Sequence, residues 1–239
     1  QLYPSGLTAT PSGNLYTITT PLSFNGIDVF QGLSIVVTDD NLNPANVPVF
    51  INTYENGYMQ YDAVNSIWNY AGQTSAPTFT DGVQTITASF LDNAGNTTPL
   101  VLNFTTDATP PAGGTLTMYT ALYPTGLIAT QAGNVYTINT PLSFNGVDQL
   151  QNISIVVTDV HLNTANVPVF INGNENGYMQ YDLANLIWNY AGQTSAPTFI
   201  DGVQTVTATV TDLVGNSSLL TLNFTTDATP PAGGTLTMY

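Results

Sequence analysis

The sequence predicts an all-β chain made of two tandem antiparallel β-sandwiches, and three observations carry that prediction. First, the fifteen residues 105–119 (TTDATPPAGGTLTMY) return unchanged at 225–239, 120 positions later. Residues 3–119 align on 123–239 without a gap and with about three quarters of positions identical, so the chain holds two copies of one module. Second, short segments rich in Val, Ile, Thr and Tyr are separated by turn-forming clusters roughly every 8–12 residues. Third, no apolar pattern with the helical period is sustained anywhere, nor any run of helix formers.

Along the first copy, residues 1–14 carry turn chemistry (YPSG and PSGN) around a short extended piece. Residues 15–24 (LYTITTPLSF) suit a strand, with Pro21 marking an edge or bend, and Asn25-Gly26 is a tight-turn dipeptide. Residues 33–38 (LSIVVT) make the next strand and run into a polar loop at 39–46 (DDNLNPAN). Strands at 47–52 and 58–61 follow, separated by a turn at Glu55-Asn56-Gly57. A short aromatic segment, 66–71 (SIWNYA), leads to a loop that closes on Asp81-Gly82. Residues 83–90 alternate, and their counterparts 203–210 (VQTVTATV) place Val206, Ala208 and Val210 on one face. After the turn at 92–96 (DNAGN), residues 100–106 alternate with Leu100, Leu102 and Phe104 inward.

Charge narrows the function. Lys+Arg total 0 and Asp+Glu 15, with a single His, for a formal net charge of −15. No carboxylate can meet a basic side chain other than His161, so each is solvated, hydrogen-bonded, protonated or metal-bound. A basic groove cannot exist, which excludes nucleic-acid and anionic-membrane binding, and phosphate handling loses its usual side-chain partners. Cysteine is absent, which removes disulfides, thiolate zinc sites and thiol nucleophiles. No apolar run reaches the ~18 residues that span a membrane, and the sequence from Gln1 lacks a signal-peptide pattern. A secreted protein would carry its targeting segment elsewhere.

The last third of each module carries a family resemblance. Residues 188–230 hold Trp188, then Asp201-Gly202 before an alternating strand, Asp212 to Asn216 as Asp-x-x-Gly-Asn, a last strand, and an Asp-Ala-Thr-Pro linker. The counterparts are Trp68, Asp81-Gly82, 92–96 and 107–110. This pattern resembles the bacterial immunoglobulin-like repeats of large surface adhesins and biofilm proteins. The resemblance covers about the last 45 residues of each 120. It implies immunoglobulin-like sandwiches in a rod-like extracellular array, often with calcium at the junctions, and no enzymatic activity.

With that end as the frame, residues 1–107 form the first repeat without its first strand, 108–227 form the second, and 228–239 carry a linker and an orphan first strand. The Ala-Thr-Pro-Pro linker is stiff. The orphan strand either opens a following repeat or completes the sandwich of a neighbouring subunit by strand addition. Either way the partners are other copies of the module, head to tail, and a heterologous contact that does not close gives a fibre.

The acidic loops are the candidate chemistry. The sequence order predicts that Asp39, Asp81 and Asp107 share the end where the chain leaves one module. Asp148, Asp212 and Asn216 are then expected at the facing end of the next, an oxygen set suited to calcium. Asp39-x-Asn41-x-Asn43 has the alternating oxygen spacing of calcium loops, although its counterpart reads Asp159-x-His161-x-Asn163 and lacks the glycine and terminal Glu of an EF-hand. The alternative is that Asp and Asn sit here because they cap turns.

Other side chains offer less. Glu55 and Asp62 form a conceivable glycosidase pair, but two carboxylates occur in any sandwich. Trp68, Tyr70, Trp188 and Tyr190 either stack on sugars or fill the core. The expected function is thus a structural repeat of an extracellular adhesin, filament or surface-layer protein, without direct membrane insertion. Any cell-surface or glycan ligand would be met by other parts of the protein. The alternative is a carbohydrate-binding or accessory module of a secreted protein.

Overall fold

A computed structural model describes residues 3, 5–24, 30–73, 75–144, 148–193, 196–235 and 237–238. The expected turn at Asn25-Gly26, Asp28 and residues 145–147 lie outside the described residues. The chain divides into two compact units, Gln1–Thr109 and Pro110–Tyr239. Both are all-β, and no helix among the described residues is long and apolar enough to cross a membrane.

Unit 1 holds β1 (Thr10–Ser12), β2 (Leu15–Thr17), β3 (Ser34–Ile35), β4 (Val47–Ile51), β5 (Tyr54–Asp62), β6 (Ile67–Ala71), β7 (Gly82–Leu91) and β8 (Thr97–Thr106). Their hydrogen-bonded order is β1-β2-β8-β7-β4-β5-β6-β3. Unit 2 holds β9 (Ala112–Thr120), β10 (Leu127–Ile128), β11 (Thr130–Ala132), β12 (Val135–Leu142), β13 (Leu150–Thr158), β14 (Val167–Ile171), β15 (Asn174–Asp182), β16 (Ile187–Ala191), β17 (Gly202–Thr211) and β18 (Ser217–Thr226). Its order is β10-β9-β13-β16-β15-β14-β17-β18-β12-β11.

Each sheet folds over on itself to make the two layers of a sandwich. Trp68 of β6 meets Phe90 of β7 edge-on at 5.0 Å between centroids, although two strands separate β6 from β7 in the sheet. Strand alternation supplies this core. In β4 and β14 the inward Val, Val and Ile are buried while Pro and Phe are exposed, as period-two side-chain placement requires. Val206 and Val210 are buried on the predicted face.

One pairing departs from the antiparallel pattern. β2 runs parallel to β8, with Tyr16 opposite Leu102, and β12 runs parallel to β18, with Tyr136 opposite Leu222. These strands are far apart in sequence, so no tight turn dictates their relative direction.

The Glu55-Asn56-Gly57 turn is a correction. These residues lie inside β5, and the chain instead reverses at Asn52 and Thr53. Pro48 faces Tyr58 while Phe50 faces Glu55, so β5 carries one extra residue, a β-bulge. Gly57 sits there at φ +78°, and a Cβ on it would lie 2.6 Å from the carbonyl oxygen of Ala71. The Asn-Gly pair serves close strand approach rather than a hairpin.

Candidate functional site

The strand registers decide which acidic loops share an end. Gly82 pairs with Thr106, which brings Asp81 to Asp107 at the trailing end of unit 1. At the leading end, Leu91 pairs with Thr97 around the 92–96 turn. Leu42 bridges Asp92, and Asn43 N–H donates to the Leu91 carbonyl at 3.1 Å. Asp39 therefore belongs to the leading end, opposite Asp81 and Asp107. The expectation that these three share an end is corrected, because five strands, an odd number of chain reversals, lie between the 39–46 loop and Asp107.

Unit 2 gives the matching result. Ala112 pairs with Thr158 at the leading end, where Leu162 also bridges Asp212. Leu150 pairs with Thr120 at the other end of β13. Asp148 therefore lies at the trailing end with Asp201 and Asp227, apart from Asp212 and Asn216. Six strands, an even number, lie between Asp148 and Asp227.

Most of the described aspartates accept hydrogen bonds from nearby donors. Asp39 Oδ1 accepts the N–H of Asn41 at 2.7 Å, and Asn43 Oδ1 accepts that of Ala45 at 3.0 Å. Asp159 repeats this with His161 N–H at 2.7 Å. The alternating Asp-x-Asn-x-Asn spacing is thus read out as two successive Asx turns. Asp212 Oδ1 accepts the N–H groups of Val214 and Asn216 at 2.9 and 2.8 Å, and its Oδ2 accepts Asn216 Nδ2–H at 2.6 Å. Asp92 does the same with Asn96. Asp62 and Asp182 bind Asn65 and Asn185 through both amide side chain and backbone.

At the trailing ends the bonds are long-range. Asp81 Oδ1 accepts the N–H of Ala108 at 2.6 Å, and Oδ2 accepts the Thr109 hydroxyl. Asp107 Oδ1 accepts the N–H of the same Thr109 at 3.2 Å. Asp201, Asp227, Ala228 and Thr229 repeat the arrangement, with Ala228 N–H donating to Asp201 at 2.7 Å. Two acids therefore clamp the departing chain in each unit. Sequence reading placed Asp81 at the exit end with Asp107 as a calcium candidate but missed this clamp, because its bonds reach 27 and 28 residues along the chain and nothing local marks them.

These contacts set the charges. The side-chain bond from Asn65 to Asp62, and the equivalents Asn96 to Asp92 and Asn185 to Asp182, hold those carboxyls below their ordinary range. Thr109 and Thr229 do so for Asp81 and Asp201, with Ala108 and Ala228 N–H adding to it. Asp148 is different: it is 1% exposed, Leu122 N–H donates to Oδ1 at 3.3 Å, and Oδ2 has no partner among the described residues. Within either unit, among the described residues, no three Asp, Glu or His bring their ligand atoms within 4.8 Å of one another.

The remaining candidates are placed by burial and distance. Trp68 and Trp188 are 0% exposed, so they fill the core and offer no stacking face. The hydroxyls of Tyr70 and Tyr190 donate to the carbonyls of Asn56 and Asn176, both at 2.6 Å. Glu55 and Asp62 lie near opposite ends of β5, roughly 20 Å apart along the strand at its usual rise, beyond the reach of a glycosidase pair.

No family model and no curated protein matches the chain. Among solved structures, the chain is similar to the fibronectin(III)-like modules of Clostridium thermocellum CbhA, at 9% identity and a TM-score of 0.32 over 98% of each chain. It is similar to a Ca2+-stabilized adhesin of an Antarctic bacterium that binds ice, at 20% identity and TM-score 0.40, covering 83% of this chain and 44% of that one. It is also similar to a tetra-tandem repeat from the extending region of a large adhesion protein, at 22% identity and TM-score 0.32, covering 90% and 49%. The chain thus spans about half the length of these two adhesin structures.

Proposed function

We propose that the chain is a pair of structural repeat modules from an extracellular adhesin or filament, working with other copies of the module head to tail. The clamp at the trailing end carries this reading. Asp81 and Asp201 hold the segment that leaves each sandwich at the same two residues, so tension along the backbone is handed directly to a folded module. The resemblance of residues 188–230 to adhesin repeats points the same way.

Calcium belongs to this proposal as a ligand of the clamp. Asp81 and Asp201 each use two acceptor sites on Ala and Thr, of about four that a carboxylate offers. Hard oxygen donors of this kind suit calcium. A calcium titration followed by thermal melting tests it: binding raises the melting temperature with the logarithm of the free calcium excess over its dissociation constant, and Asp81→Asn with Asp201→Asn removes the rise.

Single-molecule pulling tests the mechanical reading. Two separate unfolding events are expected, each releasing about 40 nm for 120 residues at full extension. Antibodies raised against the chain should label intact cells. Extension without resolved unfolding events, or label only after lysis, would overturn the proposal.

A further inference from the structure

Five Asn-x-Ser/Thr tripeptides occur in the chain, at Asn96, Asn103, Asn152, Asn216 and Asn223. The tripeptide makes an asparagine an acceptor for an N-linked glycan, and the atom that takes the sugar is the side-chain nitrogen. The five differ in what that nitrogen already holds.

In three of them it is engaged. Asn96 Nδ2–H donates to Asp92 Oδ2, and Asn216 Nδ2–H to Asp212 Oδ2, both at 2.6 Å. Asn216 is also 3% exposed, so a sugar on it has no path to solvent without opening the 212–216 turn. Asn152 Nδ2–H donates to Asn189 Oδ1 at 3.2 Å while its own Oδ1 is buried. Its counterpart in the first copy is Gly32.

The remaining two are one position seen twice. Asn103-Phe104-Thr105 lies in β8 and Asn223-Phe224-Thr225 in β18. Phe104 and Phe224 are buried in the core, so period-two alternation turns the Asn and Thr of each tripeptide outward together. Asn103 Oδ1 accepts the Thr85 hydroxyl at 3.0 Å, and Asn223 Oδ1 accepts that of Thr205 at 3.1 Å. Each amide is thus oriented through its oxygen, and Nδ2 has no partner among the described residues.

The surroundings leave room for a sugar ring. Thr17 and Thr85 flank Asn103 on the neighbouring strands, and Thr137 and Thr205 flank Asn223. Along the strands the same-face neighbours are Val101 and Thr105 in one unit, Thr221 and Thr225 in the other. None of these is charged or aromatic, so the ring meets hydroxyl and methyl groups alone.

We infer that Asn103 and Asn223 are acceptors of N-linked glycan, one on the same sheet face of each unit. In the transfer, Nδ2 bonds to the anomeric carbon of a saccharide carried on a lipid phosphate. The bond from that carbon to the phosphate oxygen breaks, the lipid phosphate leaves with the bonding pair, and a base of the transferase takes the Nδ2 proton. Donor and transferase belong to the export route, so the inference rests on the extracellular reading above. The folded sandwich accepts a glycan at these two positions and excludes one at Asn216.

With no Lys or Arg, the chain has to be mapped with chymotrypsin instead of trypsin. Protein purified from its source and mapped by electron-transfer fragmentation should carry saccharide mass on Asn103 and Asn223, with Asn216 unmodified. The chain secreted from a glycosylating eukaryotic host should lose one glycan with Thr105→Ala and a second on adding Thr225→Ala. Thr105→Ser should restore the first. Thr105 Oγ1 makes no hydrogen bond among the described residues, so the double variant should melt like enzymatically deglycosylated wild type.

Unmodified Asn103 and Asn223 in the protein from its source overturn the inference, even where the secretion host modifies them. Glycan confined to Asn96, Asn152 or Asn216 overturns it too. Intact cells that take the antibody label but yield unglycosylated chain sink this inference alone, whereas label only after lysis sinks the extracellular reading on which it rests.

Discussion

The carboxylate of Asp81 accepts the backbone N–H of Ala108 at 2.6 Å across 27 positions of sequence. The bond joins the loop before β7 to the chain that has just left β8, and Asp201 makes it again with Ala228. It ties the exit of each module to its body without a basic residue.

Replacing Asp81 by Ala should release that exit while leaving the sandwich intact. Hydrogen exchange at the amides of Ala108 and Thr109 is expected to accelerate, with the amides of β7 and β8 unchanged. Protection that persists at Ala108 would mean that packing, and not the carboxylate, holds the segment.

The two copies contain a natural control for backbone strain. Thr53 occupies φ +78° at the β4–β5 reversal, where the second copy has Gly173 at φ +80°. A left-handed conformation costs an L-residue about 1–2 kcal/mol, and β-branching makes it rarer still. Thr53→Gly should therefore stabilise unit 1 by about 1 kcal/mol after the entropy cost of glycine. Urea unfolding followed through Trp68, in a background where Trp188 is replaced by Phe, measures it. A loss of stability would refute the strain assignment.

Gln204 is a buried polar peg, 1% exposed. Asn172 Nδ2–H donates to its Oε1 at 2.7 Å, and its own Nε2–H donates to the Ile200 carbonyl at 2.6 Å and the Thr226 hydroxyl at 3.1 Å. Gln204→Leu keeps the volume but leaves these groups without their partner, and should cost about 2 kcal/mol. The shift of the urea midpoint at constant slope, read through Trp188, checks it.

Acid should weaken the chain only at low pH. Asp62, Asp81, Asp92, Asp182 and Asp201 have folded pKa values held below the ordinary one, first by side-chain hydrogen bonds from Asn or Thr. Their stabilisation is fully present above the unfolded value of about 3.9 and is lost as pH falls through the lower folded values. Melting temperature should be flat from neutrality to about pH 4.5 and fall below it. Asp62→Asn with Asp182→Asn should flatten that fall. A decline that begins near neutrality would assign the pH dependence to other groups.

Much of the fold was legible because alternation and burial coincide. Leu102, Phe104, Val206 and Val210 are buried on the predicted faces. The same alternation carries polar residues inward: Val83 and Val203 are 72% and 73% exposed near the start of their strands, while the adjacent Gln84 and Gln204 are buried on the face of Ile86 and Val206, because a glutamine with every donor and acceptor engaged is compatible with burial. Asn56-Gly57 looked like a turn since the need for glycine there comes from the passing backbone of β6, a contact invisible in local sequence. The positions of Asp39 and Asp148 depended on the parity of intervening strands, which a single miscounted reversal inverts.

Most of the acidic side chains answer their charge close to home, as Asp62 does with Val64 and Asn65 and Asp212 does with Val214 and Asn216. Such a loop needs no complementary residue elsewhere in the molecule. A gene encoding the module can therefore be duplicated, shortened or recombined without having to co-evolve a distant counterion. Neighbouring copies, almost the same in sequence, also have few charged contacts through which to mispair while they fold.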